Sequence, residues 1–255
     1  MKKYIIITLF SIGSLIKVCG QDYKLAKTSG KLILNLSSAT IEGYDGNEVI
    51  FSSGRSEEEM DPRAKGLRAI NGSGYTDNTG LGISVTEKGT TTEVNQVASN
   101  LSLKIRVPKG VILSFVCHKM PNAGKVYCKN LENEIEIATD YNRVVLENIT
   151  GPVTVTALYG SVDAIFSNHL KGPVSIASIY ATVDVSISAD TKANVKLSSS
   201  HGSILASADL KIEMEKNEGS DMISYGNLVN GKLNGGGADF RLMADYGKIY
   251  LRKNK

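Results

Sequence analysis

The segment VTVTALYGSVDAIF (residues 153–166) and, one short link later, VSIASIYATVDVSI (residues 174–187) hold the plan of this chain. Apolar residues alternate with polar ones at Val153 and Val155, a small residue follows at Ala157, and Tyr159-Gly160 interrupts before alternation resumes at Val162 and Ala164. Period-two alternation predicts strands. Anchored on the first apolar residue, the same phrase occurs at Leu113, Ile135, Val153, Val174, Val195 and, after an interruption, Phe240. The steps between the first five anchors are 22, 18, 21 and 21 residues. The third site is always small, at Cys117, Thr139, Ala157, Ser178, Ser199 and Ala244. Six positions after the anchor stand Tyr141, Tyr159, Tyr180, His201 and Tyr246, followed by Asn142, Gly160, Ala181, Gly202 and Gly247. A fixed period of this size predicts a repeat architecture.

Apolar residues fall at even offsets before each Tyr-Gly corner and at odd offsets after it, so one step of the pleat is lost there. Two topologies give that slip. In a parallel β-solenoid the chain turns a corner, and like residues of successive copies stack at about 4.8 Å, Val153 over Val174 over Val195. In an antiparallel β-meander or sandwich, a two-residue hairpin puts the flanking residues on one face. Tight hairpins want Asn-Gly or Asp-Gly, whereas these corners read Tyr-Asn, Tyr-Gly, Tyr-Ala and His-Gly, and Ala181 would be strained at positive φ. The parallel stack is therefore the preferred reading, with glycine expected at the corners for its access to positive φ.

Residues 1–20 have the form of a secretory signal peptide: Lys2 and Lys3, an apolar stretch from Tyr4 to Ile16, and a tail ending Val18-Cys19-Gly20. The stretch is too short to span a bilayer as a helix. Cleavage after Gly20 is the preferred expectation, and lipidation at Cys19 the other. Removing Lys2, Lys3 and Lys17 leaves 26 basic against 26 acidic residues. Such a balance argues against nucleic acid or an anionic membrane as partner, because both call for a concentrated basic excess. No later apolar run predicts a transmembrane segment. The mature chain divides into an N-terminal β segment, 21–110, continuous with the stack, and a repeat region, 111–255, with a hairpin insert near 211–237. Within the first part, Leu101, Leu103, Ile105 and Val107 alternate clearly, and the charged stretch from Arg55 to Arg68 reads as a surface excursion.

Several stretches together resemble a known family. They are the opening from Leu32 to Gly43, the Tyr44-Asp45-Gly46-Asn47-Glu48-Val49 turn, and the strand ending Val107-Pro108-Lys109-Gly110. The repeated corners and the close from Leu233-Asn234-Gly235-Gly236-Gly237 to Leu251 complete the match. In order and coverage they resemble the bacterial putative-adhesin β-strand-repeat family, a family of unknown function. Lys65-Gly66-Leu67 and Asp77-Asn78-Thr79-Gly80 look like members of the Bacteroidetes type. The resemblance implies an exported, all-β, solenoid-like protein, and the expected location is the periplasm, the outer envelope or the secreted fraction. It supplies no catalytic residues. Members carry Asn-Gly or Ser-Gly at the corners, where this chain has Tyr or His.

The candidate binding site is the row Tyr141, Tyr159, Tyr180 and His201, which parallel stacking would set in one file. Aromatic rings on a flat surface suit a saccharide or an apolar partner; the plainer role is sealing the corner. Asp163 and Asp184 share one outward position in adjacent copies, where two close carboxylates could shift a pKa or share a cation, or simply be solvated. His118, His169 and His201 lack metal-site spacing, so no metal and no cofactor is expected. Cys117 and Cys128 leave two readings open, a disulfide in an oxidising compartment or two buried thiols. The leading functional expectation is a non-enzymatic exported scaffold meeting a cell-surface glycan or envelope protein. The alternative is a polysaccharide-processing β-helix enzyme, and a third possibility is an envelope component that binds nothing small.

Overall fold

The computed structural model describes residues 22–53, 63, 66–99, 101–118, 124–214 and 227–254. The signal-peptide stretch 1–20, most of the charged excursion and residues 215–226 of the hairpin insert lie outside the described residues. The N-terminal part contributes β1 (Asp22–Leu25), β2 (Gly30–Asn35), β3 (Ala39–Tyr44), β4 (Val49–Ser53), β5 (Ile83–Lys88), β6 (Thr91–Gln96) and β7 (Leu103–Pro108). The first four copies supply β8 (Val111–Cys117), β9 (Lys125–Lys129), β10 (Ile135–Thr139), β11 (Arg143–Ile149), β12 (Val153–Ala157), β13 (Val162–Phe166), β14 (Val174–Ser178) and β15 (Val183–Ile187). The remainder forms β16 (Ala193–Ser199), β17 (Ile204–Ala206), β18 (Ile212–Met214), β19 (Asn227–Leu233), β20 (Ala238–Ala244) and β21 (Ile249–Lys253).

These strands make two large mixed sheets. One has ten strands in the order β1-β4-β7-β3-β9-β11-β13-β15-β21-β17, the other eleven in the order β18-β19-β16-β20-β14-β12-β10-β8-β2-β6-β5. Antiparallel pairing occurs at β1–β4, β4–β7, β5–β6, β16–β19 and β18–β19, toward the ends of the sheets. Between them, the two strands of one copy go to different sheets and each pairs in parallel with its counterpart in a neighbouring copy. Ile135 pairs with Val153 and Val153 with Val174 in one sheet, and Val144 with Val162 and Val162 with Val183 in the other.

The alternation that predicts strands also decides their faces. In β12, Val153, Val155 and Ala157 are buried while Thr154 and Thr156 are exposed. Repeated along each sheet, this gives apolar columns facing one another across the interior. The largest fully buried side chains include Phe51, Phe115, Phe166 and Phe240. Each such burial is worth about 1.5–3 kcal/mol relative to exposure, and the columns together supply the main cohesion.

The spatial order of the last copies corrects the ladder expected from chain order. Val195 does not lie on Val174: Phe240 pairs with both, because β20 enters between β14 and β16, and β21 between β15 and β17. Strand strength gives the physical reason. The second strand of the Val195 copy is only Ile204–Ala206, with Leu205 and Ala206 exposed, whereas Ile249 and Leu251 are buried. That weak strand, β17, takes the edge of its sheet, where a short strand leaves few unpaired backbone groups. Inside, Phe240 meets Phe166 edge to face, ring centroids 5.9 Å apart.

Candidate functional site

The corner between the two sheets keeps one length through five copies, five residues from the small third site to the next apolar one, as 139–144, 157–162, 178–183, 199–204 and 244–249. Backbone hydrogen bonds continue through it. Tyr159 N–H donates to the Asp140 carbonyl (2.6 Å), Tyr180 N–H to Leu158 (2.9 Å), Tyr246 N–H to Ile179 (2.9 Å) and His201 N–H to Asp245 (2.7 Å). Neighbouring corners are thus held at strand spacing, about 4.8 Å.

Glycine serves this corner for a reason other than φ. Gly160, Gly202 and Gly247 are not among the positive-φ residues. A Cβ at Gly160 would lie 1.8 Å from the Asn142 carbonyl oxygen, at Gly202 1.7 Å from that of Gly247, and at Gly247 2.0 Å from that of Ala181. At these three positions the backbones approach too closely for a side chain, although Asn142 and Ala181 carry one at the equivalent place in their copies. The small third site belongs to the same device. Ser178 Oγ, fully buried, donates to the Gly160 carbonyl (2.9 Å) and accepts from Ala181 N–H (3.2 Å). Ser199 Oγ accepts from Gly202 N–H (2.8 Å) in the same way.

On this frame stand five nearly parallel rings in the spatial order Tyr141, Tyr159, Tyr180, Tyr246, His201. Successive centroids are 5.0, 4.9, 5.1 and 4.5 Å apart, with interplanar angles of 14°, 12°, 15° and 2°. The structure brings all four sequence-predicted residues into one file, but His201 stacks on Tyr246 and not on Tyr180. Tyr246 is the member that sequence reasoning left out of the site, although its place in the repeat marked it. Tyr159, Tyr180 and Tyr246 are about half exposed, at 48%, 50% and 56%. Because each ring covers its neighbour's face, the file offers ring edges and a row of phenol hydroxyls to solvent, not the open faces expected from sequence. None of the four hydroxyls has a partner among the described residues. At one end, Asp140 beside Tyr141 bonds His118 Nδ1 (2.9 Å); near the other, Asp245 accepts from Ser200 Oγ (3.1 Å).

Asp163 and Asp184 are register neighbours on β13 and β15. Each is clamped by an arginine. Arg143 Nε bonds Asp163 at 2.8 Å, and Arg252 grips Asp184 through two nitrogens at 2.7 and 2.9 Å while its guanidinium lies 5.0 Å from the Tyr250 ring centroid. The bond to Asp184 holds the Arg252 guanidinium above its ordinary pKa. Two neutralised acids on an outer face are poorly placed to transfer a proton. Among the described residues no three His, Cys, Asp or Glu side chains gather as metal ligands. His169 is exposed and stands apart from the file.

Cys117 and Cys128 are free, buried thiols, the second of the two readings open from sequence. They lie on β8 and β9, which belong to different sheets. Burial pushes the Cys128 thiol up to about 12, so it stays protonated and inert.

The described residues contain no helix long and apolar enough to cross a membrane. No known family profile matches the chain, and no curated protein shows significant similarity to it. Two solved structures are similar along most of its length. One is a putative cell adhesion protein from Clostridium sporogenes, 14% identical, covering 92% of this chain and 100% of its own, with a TM-score of 0.45. The other is a putative adhesin from Bacteroides fragilis, 7% identical, covering 91% and 96%, with a TM-score of 0.26.

Proposed function

We propose that the chain is an exported, non-enzymatic scaffold of the cell envelope whose solenoid-like winding of repeats presents the aromatic file to an extended glycan. The observation that carries this reading is the file itself: five rings in continuous contact, half exposed, on a corner of constant length. Corner sealing alone would be served by buried rings. These rings instead leave four hydroxyls unpaired toward solvent, each able to donate and accept a hydrogen bond. A row of such groups at strand spacing matches a polymer that itself carries hydroxyls at intervals along an extended chain. The rigidity of the ladder favours the match, because little conformational entropy is lost when the partner lies down on it. Electrostatic attraction plays a minor part, given 26 basic and 26 acidic residues once the leader is removed. The acid pair adds no support to an enzymatic reading, since Asp163 and Asp184 are both engaged by arginine.

The test is capture of envelope polysaccharide by the mature chain and by a variant with Tyr159, Tyr180 and Tyr246 changed together to Ser. Loss of capture by a variant that still unfolds cooperatively is the expected result. Undiminished capture by the folded variant removes the file from the binding surface.

A further inference from the structure

At the end of the body away from β17, a cavity of about 620 Å³ opens between the 71–75 segment and the ends of β2, β6 and β8. Its volume lies in the range of small-molecule sites, about 300 to 1,000 Å³. Its chemistry is unlike the rest of the surface. Asn35, Asn71, Asn95 and Gln96 bring four amide side chains to the wall. Val116 adds an apolar patch, and no Lys, Arg, Asp or Glu stands among the described lining residues. His118, at the rim, is already bonded to Asp140.

Part of the amide set is spoken for. Asn71 Nδ2 donates to the Gln96 carbonyl (2.9 Å) and its Oδ1 accepts from Ser73 and Tyr75 N–H (3.0 Å each), which fixes the 71–75 wall. Gln96 Oε1 accepts from Ser37 N–H at 2.7 Å. Asn35 Nδ2 donates to Asn95 Oδ1 at 2.9 Å. That leaves Asn95, only 6% exposed, with a buried Nδ2 that has no partner among the described residues. An unpaired buried donor beside the cavity is costly until an acceptor meets it. Tyr75 completes the lining. Its ring is 39% exposed, no other aromatic ring stacks on it, and its hydroxyl has no partner among the described residues.

We infer that this cavity is a binding site for a neutral saccharide of one or two pyranose rings. With Gln96 Nε2 donating to the Ala98 carbonyl (2.8 Å), the amide atoms left to a ligand are the Asn95 Nδ2 donor and the Asn35 Oδ1 acceptor, one of each for sugar hydroxyls that both donate and accept. The Tyr75 ring supplies the apolar surface against which a pyranose lays its C–H face. The absence of a cation or anion among the described lining residues selects against phosphorylated or carboxylated ligands, whose charge would be desolvated without compensation. This inference goes beyond the aromatic file and does not depend on it.

The experiment is saturation-transfer difference NMR on the full mature chain with cellobiose, maltose and chitobiose, and with glucuronic acid as the charged counterpart. At least one neutral disaccharide is expected to give signal, weakened roughly threefold to tenfold in affinity by Tyr75→Ala and much less by Tyr75→Phe. Tyr75 is exposed, so neither variant threatens the fold. Absence of signal from all three disaccharides overturns the inference, as do binding unchanged in Tyr75→Ala and glucuronic acid binding as well as the best neutral probe.

Discussion

The two corners of the repeat region are built on opposite terms. The corner that bears the aromatic file keeps one length, whereas the one on the other side runs through 130–134, 150–152, 167–173 and 188–192. The constant corner is built on stacked rings. The variable one is tied by polar side chains and charge. Asn130 takes positive φ there (54°) and Asn148, at the end of β11 just before it, does so too (53°), and Asn148 Nδ2 donates to Asn130 Oδ1 at 2.8 Å. Nearby, Glu132 receives Lys171 at 2.5 Å and Lys109 at 2.9 Å, and Lys109 also reaches Asp45 at 2.9 Å. The difference teaches where a continuous surface can form. Only equal connections bring like residues to like heights, so the file grows on one side and individual contacts serve on the other.

The comparison breaks most sharply at glycine. Gly160→Val forces a side chain into the Asn142 carbonyl and is expected to cost about 3 kcal/mol or more, read as a lowered urea midpoint. The same change at Gly172, on the variable side, meets the Pro152 ring instead of backbone and should cost roughly half as much or less. Equal losses at the two sites would erase the distinction between the corners.

Next in size is the file's own cohesion. Tyr159→Ser removes two ring contacts and is expected to lower stability by about 1–2 kcal/mol, with little dependence on salt. Ser178→Ala follows at about 1 kcal/mol, because Ala157 and Ala244 already fill that site in neighbouring copies without the hydroxyl. Both are read from denaturation midpoints at low and high ionic strength.

The smallest effect belongs to the charged corner and depends on pH. The bonds from Lys171 and Lys109 hold the Glu132 carboxyl at about 2, below its ordinary 4.5. A carboxyl lowered on folding stabilises above its unfolded value, and that contribution disappears as pH falls through about 2. Glu132→Gln should therefore flatten the stability profile between these two values, weaken its salt dependence and lower neutral-pH stability slightly, the exposed pair being largely screened by solvent. A parallel loss of stability in both proteins across that window would show that the clamp contributes nothing.

How much of this was written in the sequence follows the same division. The alternation at Val153, Val155, Val162 and Ala164 marks strands and their buried faces, and the recurring Tyr marks the file, because both obey a fixed period. The order of the last copies was hidden. Phe240 and Val195 fit the motif equally well, and only the truncated Ile204–Ala206 strand, exposed on its outer side, hinted that its copy belongs at the edge. The role of the corner glycines was misjudged because close approach of two backbones leaves no trace in one of them alone. The cavity and the Glu132 clamp were invisible for a plainer reason. Asn35, Asn71, Asn95 and His118, like Lys109, Glu132 and Lys171, come from separate segments that share no period.

The continuity of the file depends on the last copy entering between the two before it. Cross-linking tests this directly, since Ser175, Arg241 and Lys196 are all exposed on one sheet face, with Arg241 paired to both of the others. A short thiol cross-linker applied to Ser175→Cys/Arg241→Cys should join the pair efficiently. In Ser175→Cys/Lys196→Cys, where a strand intervenes at about 4.8 Å per step, it should not. Efficient joining of 175 to 196 and failure at 175–241 would mean that the copies stack in chain order and that Tyr246 stands outside the file.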